Sequence, residues 1–563
     1  MSKNVSKEKR EKLISEIKAI RNYIVAAPQD ENTGNLLVYL SEIEKDIKGR
    51  KYGLLFEEHR EDIDEILATH IPVLSENTNL FIDNGGQINF LIEGDNLASL
   101  QLLEKTHKSR IDVIYIDPPY NTGHGDFIYS DSLVDTTDTF SHSKWLSFMQ
   151  ARLKLAQRLL SPHGVIFISI DDNEQATIKM LCDDIFGETN NLGTFIVKST
   201  PNARDYGFVG KMHEYMLFYA KNVEQVQTKL MPVLDKKFKY KDKNGGFNIH
   251  PLYNSNETFS NENRPNLFYP FYLDPKSKRG DFYYISLTKD GDDWIEIYPP
   301  KSVKNNVQFV WRWGKEKAAA NINQEIVGYC AHGTEYRIVQ KMRHEEKLIR
   351  SILENTDYTS RKGTAELEDI LGSKIFPFPK PISLIRDILF MSTKKDSIIL
   401  DFFAGSGTTG HSVMKLNSED GGDRKFILCT NNENNICRDI TYERIKRVIA
   451  KENYSASLKY YKVDYIPISD KLYYEYADEL LKHIRELIEL ENGINFFANS
   501  EIDILLTEEE VNAFISDESK LKVCKKIYLG HDVLLDGNQE YILNKNNIEL
   551  NFIPEYYYKE LGD

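Results

Sequence analysis

Four short apolar runs, each closed by turn residues, punctuate the first half of the chain: FLIEGDN from Phe90, IDVIYIDPPYN from Ile111, GVIFISIDDN from Gly164 and EYMLFYAKN from Glu214. Their Val and Ile content without polar alternation predicts strands buried on both faces, as in a parallel sheet covered by helices. Between them, apolar residues recur at helical spacing from Leu97 to Lys105 and from Trp145 to Leu160. The order strand, helix, strand, long loop, helix, strand predicts a doubly wound α/β domain. The same texture returns in KIFPFPKPISLIRDIL, DSIILDFFAGSGTTGHSVMKL and KFILCTNNEN, ending near Asn453.

Outside this pattern the chain reads differently. Leu13, Ile17, Ile20 and Ile24, followed by a break at Pro28-Gln29-Asp30, predict amphipathic helices over residues 1 to about 70, a packing or interface appendage. From Asn222 to about 350 the sequence is polar and irregular, which predicts an inserted domain. The last block opens with a helix whose expected N-cap is Ser469, running through Leu490 to Asn492-Gly493, followed by mixed strands and helices. The resulting plan is a helical region over 1–75, an α/β domain in two parts over 76–222 and 351–455, an insert over 223–350, and a C-terminal α+β domain over 456–563.

At 563 residues the chain is long enough for three to four domains of about 150 residues. Its net charge of −15 argues against a generic coat for nucleic acid or anionic membranes, so a polyanionic ligand must meet a locally basic face. Lys236, Lys237, Lys239, Lys241 and Lys243 offer one in the insert, or else form a solvated charged loop; such a face predicts steep salt sensitivity. Cys182, Cys330, Cys429, Cys437 and Cys524 are dispersed with no CxxC pair, which implies neither a disulfide framework nor zinc and fits the cytoplasm. His124, His213 and His332 lack the spacing of a metal triad, and no metal is expected. The first residues lack an apolar signal core, and no run approaches eighteen apolar residues, so neither export nor a membrane span is expected.

Two stretches carry chemistry. Asp117-Pro118-Pro119-Tyr120 follows IDVIYI, placing a carboxylate at the carboxyl end of a buried strand with two prolines fixing the backbone beyond it. Each proline lacks an N–H, which leaves neighbouring carbonyls to accept from a ligand, and an amino group suits. The alternative is a rigid strand-ending turn. The second stretch, Ile398 to Thr409, is a strand that opens through Asp401, Phe403, Ala404, Gly405, Ser406, Gly407 and Thr408 into a helix beginning near Thr409. Its glycines permit close backbone approach, and the helix N-terminus presents free N–H donors to a carboxylate or phosphate. It is neither a Walker A loop nor a full GxGxxG. Glu433, past the following strand, stands where an acid takes ribose hydroxyls in dinucleotide folds. If the two strands are neighbours, one pocket joins a cofactor cradle to an acid and carbonyl pair suited to an amino-bearing base.

DPPY paired with FxGxG resembles the amino-methylating DNA methyltransferases that use S-adenosylmethionine, and the motif order resembles their β class. IEGDNLASL, IDPPYNTG, HSKWLSFMQARL, FISIDDNE, DIFGE, HEYMLFYAK, NRPNLFYP, WRW, KGTAEL, FPFPKP and DFFAGSGTTGHSVMKLNSEDGG resemble, in sequence and order, the modification (Mod) subunit of type III restriction–modification systems over residues 89 to about 450. The resemblance implies a Rossmann-like methyltransferase domain with an inserted target-recognition domain. It implies N6 methylation of an adenine rotated out of double-stranded DNA, with S-adenosylmethionine as cofactor. Asp117 and the Pro118 carbonyl would hold the two N6 hydrogens, Pro119 would complete the turn and Tyr120 would stack on the ring. Positioning dominates, because a carboxylate of ordinary pKa, about 4, is far too weak a base to deprotonate an aromatic amine beforehand. Phe403 to Thr408, with Asp401, Lys380 and Pro381, would take the methionine end of the cofactor, and Asp95 and Glu433 the adenosine end. The implied partners are a second copy of the chain and a restriction (Res) subunit. An orphan adenine methyltransferase and a catalytically silent DNA-specificity subunit are the alternatives; N4-cytosine methylation usually carries SPPY.

Overall fold

The computed structural model describes residues 5–26, 31–48, 56–122, 141–202, 208–233, 237–330, 335–343, 346–468, 480–496, 499–530 and 533–553. They fall into two units, one comprising Met1–Lys229 with Arg350–Asp563 and the other Leu230–Ile349. A ten-stranded mixed sheet organises the first: β1 (His70–Glu76), β2 (Gln87–Glu93), β3 (Ile111–Ile116), β4 (Leu160–Ile170), β5 (Asn191–Val197), β6 (Glu214–Ala220), β7 (Ile352–Leu353), β8 (Ile398–Asp401), β9 (Lys425–Thr430) and β10 (Ala456–Pro467). Their spatial order is β1-β10-β2-β9-β8-β3-β4-β6-β5-β7. The six strands from β10 to β4 are parallel, whereas β1 and β6 run antiparallel to their neighbours. The parallel strands are the uninterrupted apolar runs, and Ile114, Ile116, Ile166, Ile168 and Leu400 are fully buried in them.

Direction of travel along the sheet decides where a ligand can sit. From β2 the chain passes through α4 (Asn96–His107) to β3, and from β3 through α5 (Ser141–Leu159) to β4. From β8 it moves the opposite way, through α9 (Thr408–Asp420) to β9 and through α10 (Glu443–Glu452) to β10. Right-handed crossovers running in opposite directions place their helices on opposite faces. The switch falls between β3 and β8, which pair Val113 with Ile399 and Ile114 with Leu400.

The N-terminal pattern forms α1 (Val5–Ala26) and α2 (Glu31–Lys48), with Ile17 buried and Leu13 and Ile20 exposed. The region drawn as helical to residue 75 ends in strand, since β1 is an edge of the large sheet. The insert starts as its own unit at Leu230 and is ordered rather than irregular. Antiparallel sheets of five and three short strands enclose Leu252, Phe271, Leu273, Ile285, Trp311 and Ile326. Residues from 456 do not begin a separate domain, because β10 lies between β1 and β2. Nor is the C-terminal part α+β: β11 (Ile502–Leu505), β12 (Lys526–Leu529) and β13 (Glu549–Phe552) are parallel and alternate with helices, which is an α/β arrangement. The expected cap Ser469 lies outside the described residues; the helix it was to start is described as α11 (Ile484–Asn492), ending on Gly493 at φ 65°. No described helix is long and apolar enough to cross a membrane.

One buried ion group ties α11 to the sheet. Lys459 of β10 has no solvent-exposed side-chain surface, and its Nζ lies 3.0 Å from Glu76 Oε1 and 2.5 Å from Glu489 Oε2. The Tyr461 hydroxyl donates to the same Glu489 oxygen at 2.9 Å. Removing the cation leaves two carboxylates facing each other without it, so Lys459→Met is expected to cost about 3–5 kcal/mol. Urea unfolding of the full chain measures this, and a loss under about 1 kcal/mol would contradict it.

Candidate functional site

β3 ends at Ile116, and its continuation leaves the sheet through the two prolines. Trp145 of α5 anchors that turn by donating its indole N–H to the Pro119 carbonyl at 2.7 Å. The Tyr120 hydroxyl donates to Asp117 Oδ1 at 2.8 Å and accepts from Lys380 Nζ at 2.6 Å. Lys380 Nζ also lies 3.0 Å from Asp117 Oδ1, and both Lys380 Nζ and the Tyr120 hydroxyl lie 3.4 Å from Glu214 Oε2. Burial, then Asp117 and Glu214, drive the Tyr120 hydroxyl well above the usual phenol range. Burial also raises the Glu214 carboxyl, against the pull of Lys380. For Lys380, burial lowers the ammonium pKa, but Asp117 and Glu214 together outweigh it and leave it raised.

β8 ends at Asp401 and feeds the glycine loop. Gly405 at φ 49° and Gly407 at φ 75° take the left-handed backbone that glycine adopts without strain. The loop is pinned beneath: the Thr441 hydroxyl donates to the Gly405 carbonyl at 2.6 Å, and Arg444 Nη1 donates to the Ser406 carbonyl and to Thr408 Oγ1 at 3.2 and 2.7 Å. Arg444 is fully buried, which pushes its guanidinium down to about 10. Asp401 accepts from the Phe403 N–H at 3.0 Å and from the Thr409 hydroxyl at 2.5 Å, so its carboxyl closes the loop on itself.

The two strand ends share a cavity. Tyr115, Asp117, Pro119, the segment Phe376 to Lys380, Asp401, Phe403 to Ser406, Thr408 and Thr409 line it. The Thr408 hydroxyl donates to the Lys380 carbonyl at 3.1 Å, so Lys380 joins the loop by its backbone and the acidic turn by its side chain. Pro381 caps α8 (Ile382–Ser392), whose first N–H reaches Glu366 Oε2 at 2.9 Å. Gly363 of α7 (Ser360–Leu371) admits this segment, since a Cβ there would stand 2.1 Å from the Pro379 carbonyl oxygen.

Asp95 and Glu433 lie along the same edge of the sheet, past β2 and β9, outside that lining. Asp95 caps α4 through the Leu97 N–H at 2.7 Å and stands 3.7 Å from Arg152 Nη2; Glu433 is exposed. Among the histidines, His213 meets the Tyr215 hydroxyl at 3.0 Å, and His124 and His332 lie outside the described residues. No group of His, Cys, Asp and Glu that could hold a metal occurs among the described residues. Three contributors had no role from the sequence: Glu214 and Phe378, which sit inside HEYMLFYAK and FPFPKP, and Arg444; Phe378 is exposed at the cavity with φ 49°. Glu214 carries a signal of its own, a carboxylate opening an otherwise apolar strand.

A pocket at the switch point of a parallel sheet, with a glycine loop on one strand and an acidic, proline-stiffened turn on the next, marks an α/β ligand-binding domain of the nucleotide-cofactor class. Residues 111–443 match the DNA methylase family of the N6/N4 type, and the chain belongs to that family. The type III EcoPI Mod subunit of Escherichia phage P1 is 33% identical over 388 residues, 62% of this chain and 58% of that protein. The type II methyltransferase M.KpnI of Klebsiella pneumoniae is 34% identical over 349 residues, 60% of this chain and 79% of that enzyme. The StyLTI Mod subunit of Salmonella typhimurium is 33% identical over 417 residues, 68% of this chain and 60% of that protein. The matched chain thus spans less than two thirds of either Mod subunit.

Asp401 gives the site a pH signature. Burial, with a smaller push from Asp117, raises its carboxyl from 3.8 to about 7. The folded chain therefore binds this proton more tightly than the unfolded chain, so the contribution is complete below pH about 4 and is lost as pH rises through 7. Asp401→Asn keeps an acceptor for the Phe403 N–H and can donate to the Thr409 oxygen without the charge. Its urea midpoint relative to wild type is expected to improve from pH 5 to pH 8; an unchanged or opposite trend would remove the charge penalty.

Proposed function

We propose that this chain is a site-specific DNA adenine-N6 methyltransferase that uses S-adenosylmethionine and serves as the modification and specificity subunit of a type III-like restriction–modification system. One observation carries the reading: Asp117 and Pro119, just past β3, and Phe403 to Ser406, just past β8, line one cavity at the sheet's switch point. The residues suit the cofactor. Gly405 lines the cavity without a side chain, and the α9 N-terminus offers N–H donors to a carboxylate. Bound there, S-adenosylmethionine supplies an electrophilic methyl group on a sulfonium.

The chain's own part is to orient the nucleophile. Tyr120 and Lys380 both donate to Oδ1 of Asp117, clamping that carboxylate by one oxygen so that it presents the other. The Pro119 carbonyl is engaged by Trp145, and the Pro118 carbonyl is the second acceptor assigned to the base. Two acceptors on the amino group draw it toward tetrahedral geometry and free a lone pair otherwise delocalised into the ring. Tyr120 offers its ring to the extruded base, and its hydroxyl stays protonated as a donor.

Sequence readout belongs in this proposal to the unit Leu230–Ile349, where Lys237, Lys239, Lys241 and Lys243 are exposed; Lys236 lies outside the described residues. Trp311 is a core residue there, its indole N–H held by the Tyr269 carbonyl at 2.6 Å, so base contacts fall to other side chains. The proposed setting is the cytoplasm, with double-stranded DNA, a second copy of the chain and a Res subunit as partners.

Asp117→Ala is expected to abolish tritiated methyl transfer to plasmid DNA while cofactor binding, measured by equilibrium dialysis, stays near wild type; retained turnover would overturn the catalytic assignment. Sequencing of modified bases in DNA from an expressing host should show N6-methyladenine in one short context. Gly363→Ala, which drives α7 against the Pro379 carbonyl, is expected to lower kcat/KM by roughly tenfold to a hundredfold through displacement of Lys380.

A further inference from the structure

Glu214 opens β6, two strands from β3, and no motif assigns it a role. Its Oε2 lies 3.4 Å from Lys380 Nζ and 3.4 Å from the Tyr120 hydroxyl, and its side chain is 11% exposed. The clamp on Asp117 raises an electrostatic difficulty that Glu214 answers. An ammonium 3.0 Å from Asp117 cancels the negative charge facing the reacting nitrogen. As the N6 lone pair forms the N–CH3 bond and the electron pair of the broken S–CH3 bond stays with sulfur, positive charge passes from sulfur to nitrogen. The proton that then leaves N6 goes to Asp117 and on to water. A site meeting that charge must be anionic in advance. With Tyr120 neutral, Asp117 and Lys380 sum to zero, and Glu214 makes the cluster net negative by one charge.

Resting on the methyltransferase reading, we propose that Glu214 is a positioning residue for methyl transfer: it holds Lys380 and Tyr120 and offsets the lysine's charge, so that Asp117 is clamped without being neutralised. The ionisable groups around it are Asp117 and Tyr120 of the turn, Tyr115 of β3 and Lys380, with Asp401 beyond Asp117. Burial raises the Glu214 carboxyl, so acidification protonates it above the ordinary glutamate range and takes the cluster to zero charge.

Single-turnover transfer of tritiated methyl to plasmid DNA by the full chain tests this across pH. Glu214→Gln is expected to lower the rate by about tenfold or more, with KM for S-adenosylmethionine near wild type and the acid limb flattened. Adding Lys380→Met returns the cluster to one net negative charge, so the double variant E214Q/K380M is expected to be faster than E214Q alone; a merely structural Glu214 would make it slower. A wild-type rate and pH profile in E214Q, or a double variant no faster than E214Q, overturns the proposal. The wild-type profile is an arm that needs no variant: an acid limb confined below the ordinary glutamate pKa of about 4.3 also overturns it. If wild type itself transfers no methyl group, the functional reading fails instead, and the two failures are distinct.

Discussion

The pairing of β8 with β3 is the constraint from which the site follows. The two strands are almost three hundred positions apart in the chain, yet Leu400 faces Ile114 in register, so both carboxyl ends, with Asp401 and Asp117, reach one cavity. Because the crossovers leaving these strands depart in opposite directions, no helix closes over their carboxyl ends, and a crevice opens there. A slip of register by one residue would turn Leu400 and Ile114, both fully buried, toward the wrong faces. Burial of the two apolar runs thus sets the spacing of the two polar segments that follow them.

Buried cations then fix what the strands only approximate. Arg444 holds the glycine loop from α10, and Lys380 binds that loop to the acidic turn. Arg152, with no exposed side-chain surface, donates to both oxygens of Glu61 at 2.6 and 3.0 Å and to the Phe148 carbonyl at 2.9 Å, holding α5 to the segment before the sheet. At the other end of β9, Arg424 is fixed by Asp420 at 2.8 Å and by Thr393 at 2.7 Å. Such groups contribute little net stability, because desolvation offsets most of the attraction, but each admits few alternative arrangements. Geometry at a transfer site is sensitive to displacements on the order of 1 Å.

The sheet core was legible in the sequence because its strands are long, apolar and unalternating; β3, β8 and β9 are visible in IDVIYI, SIILD and KFILCT. The placement of Asp117, Tyr120 and the glycine loop past strand ends was legible too, since chain-breaking prolines and glycines follow each apolar run. The order of the insert was not: many of its strands are two to four residues long, its core leans on Tyr269, Phe271, Tyr283 and Trp311, and no period develops over so few positions. β10 escaped because Lys459, Lys462 and Asp464 break up its apolar run, whereas Lys459 is buried against Glu76 and Glu489. Contacts such as Gly363 against Pro379, or Glu214 against Lys380, depend on how distant segments meet, and local pattern carries no trace of that.

The carboxylates near the crevice meet different surroundings. Asp401 is buried with a hydroxyl and a backbone N–H as its donors, so burial prevails and its pKa climbs to about 7. Asp117 and Glu214 share Lys380, whose own ammonium is stabilised by both. A fully ionised Asp401 would add a charge beside Asp117, and the two would repel across the strand ends. Letting Asp401 carry its proton near neutrality confines the negative charge to the side of Asp117 and Glu214, which in the proposed reaction faces the amino group. The loop carboxyl is then a hydrogen-bonding latch, and in the proposed reaction the carboxyl past β3 is the electrostatic partner, the same residue type in two surroundings.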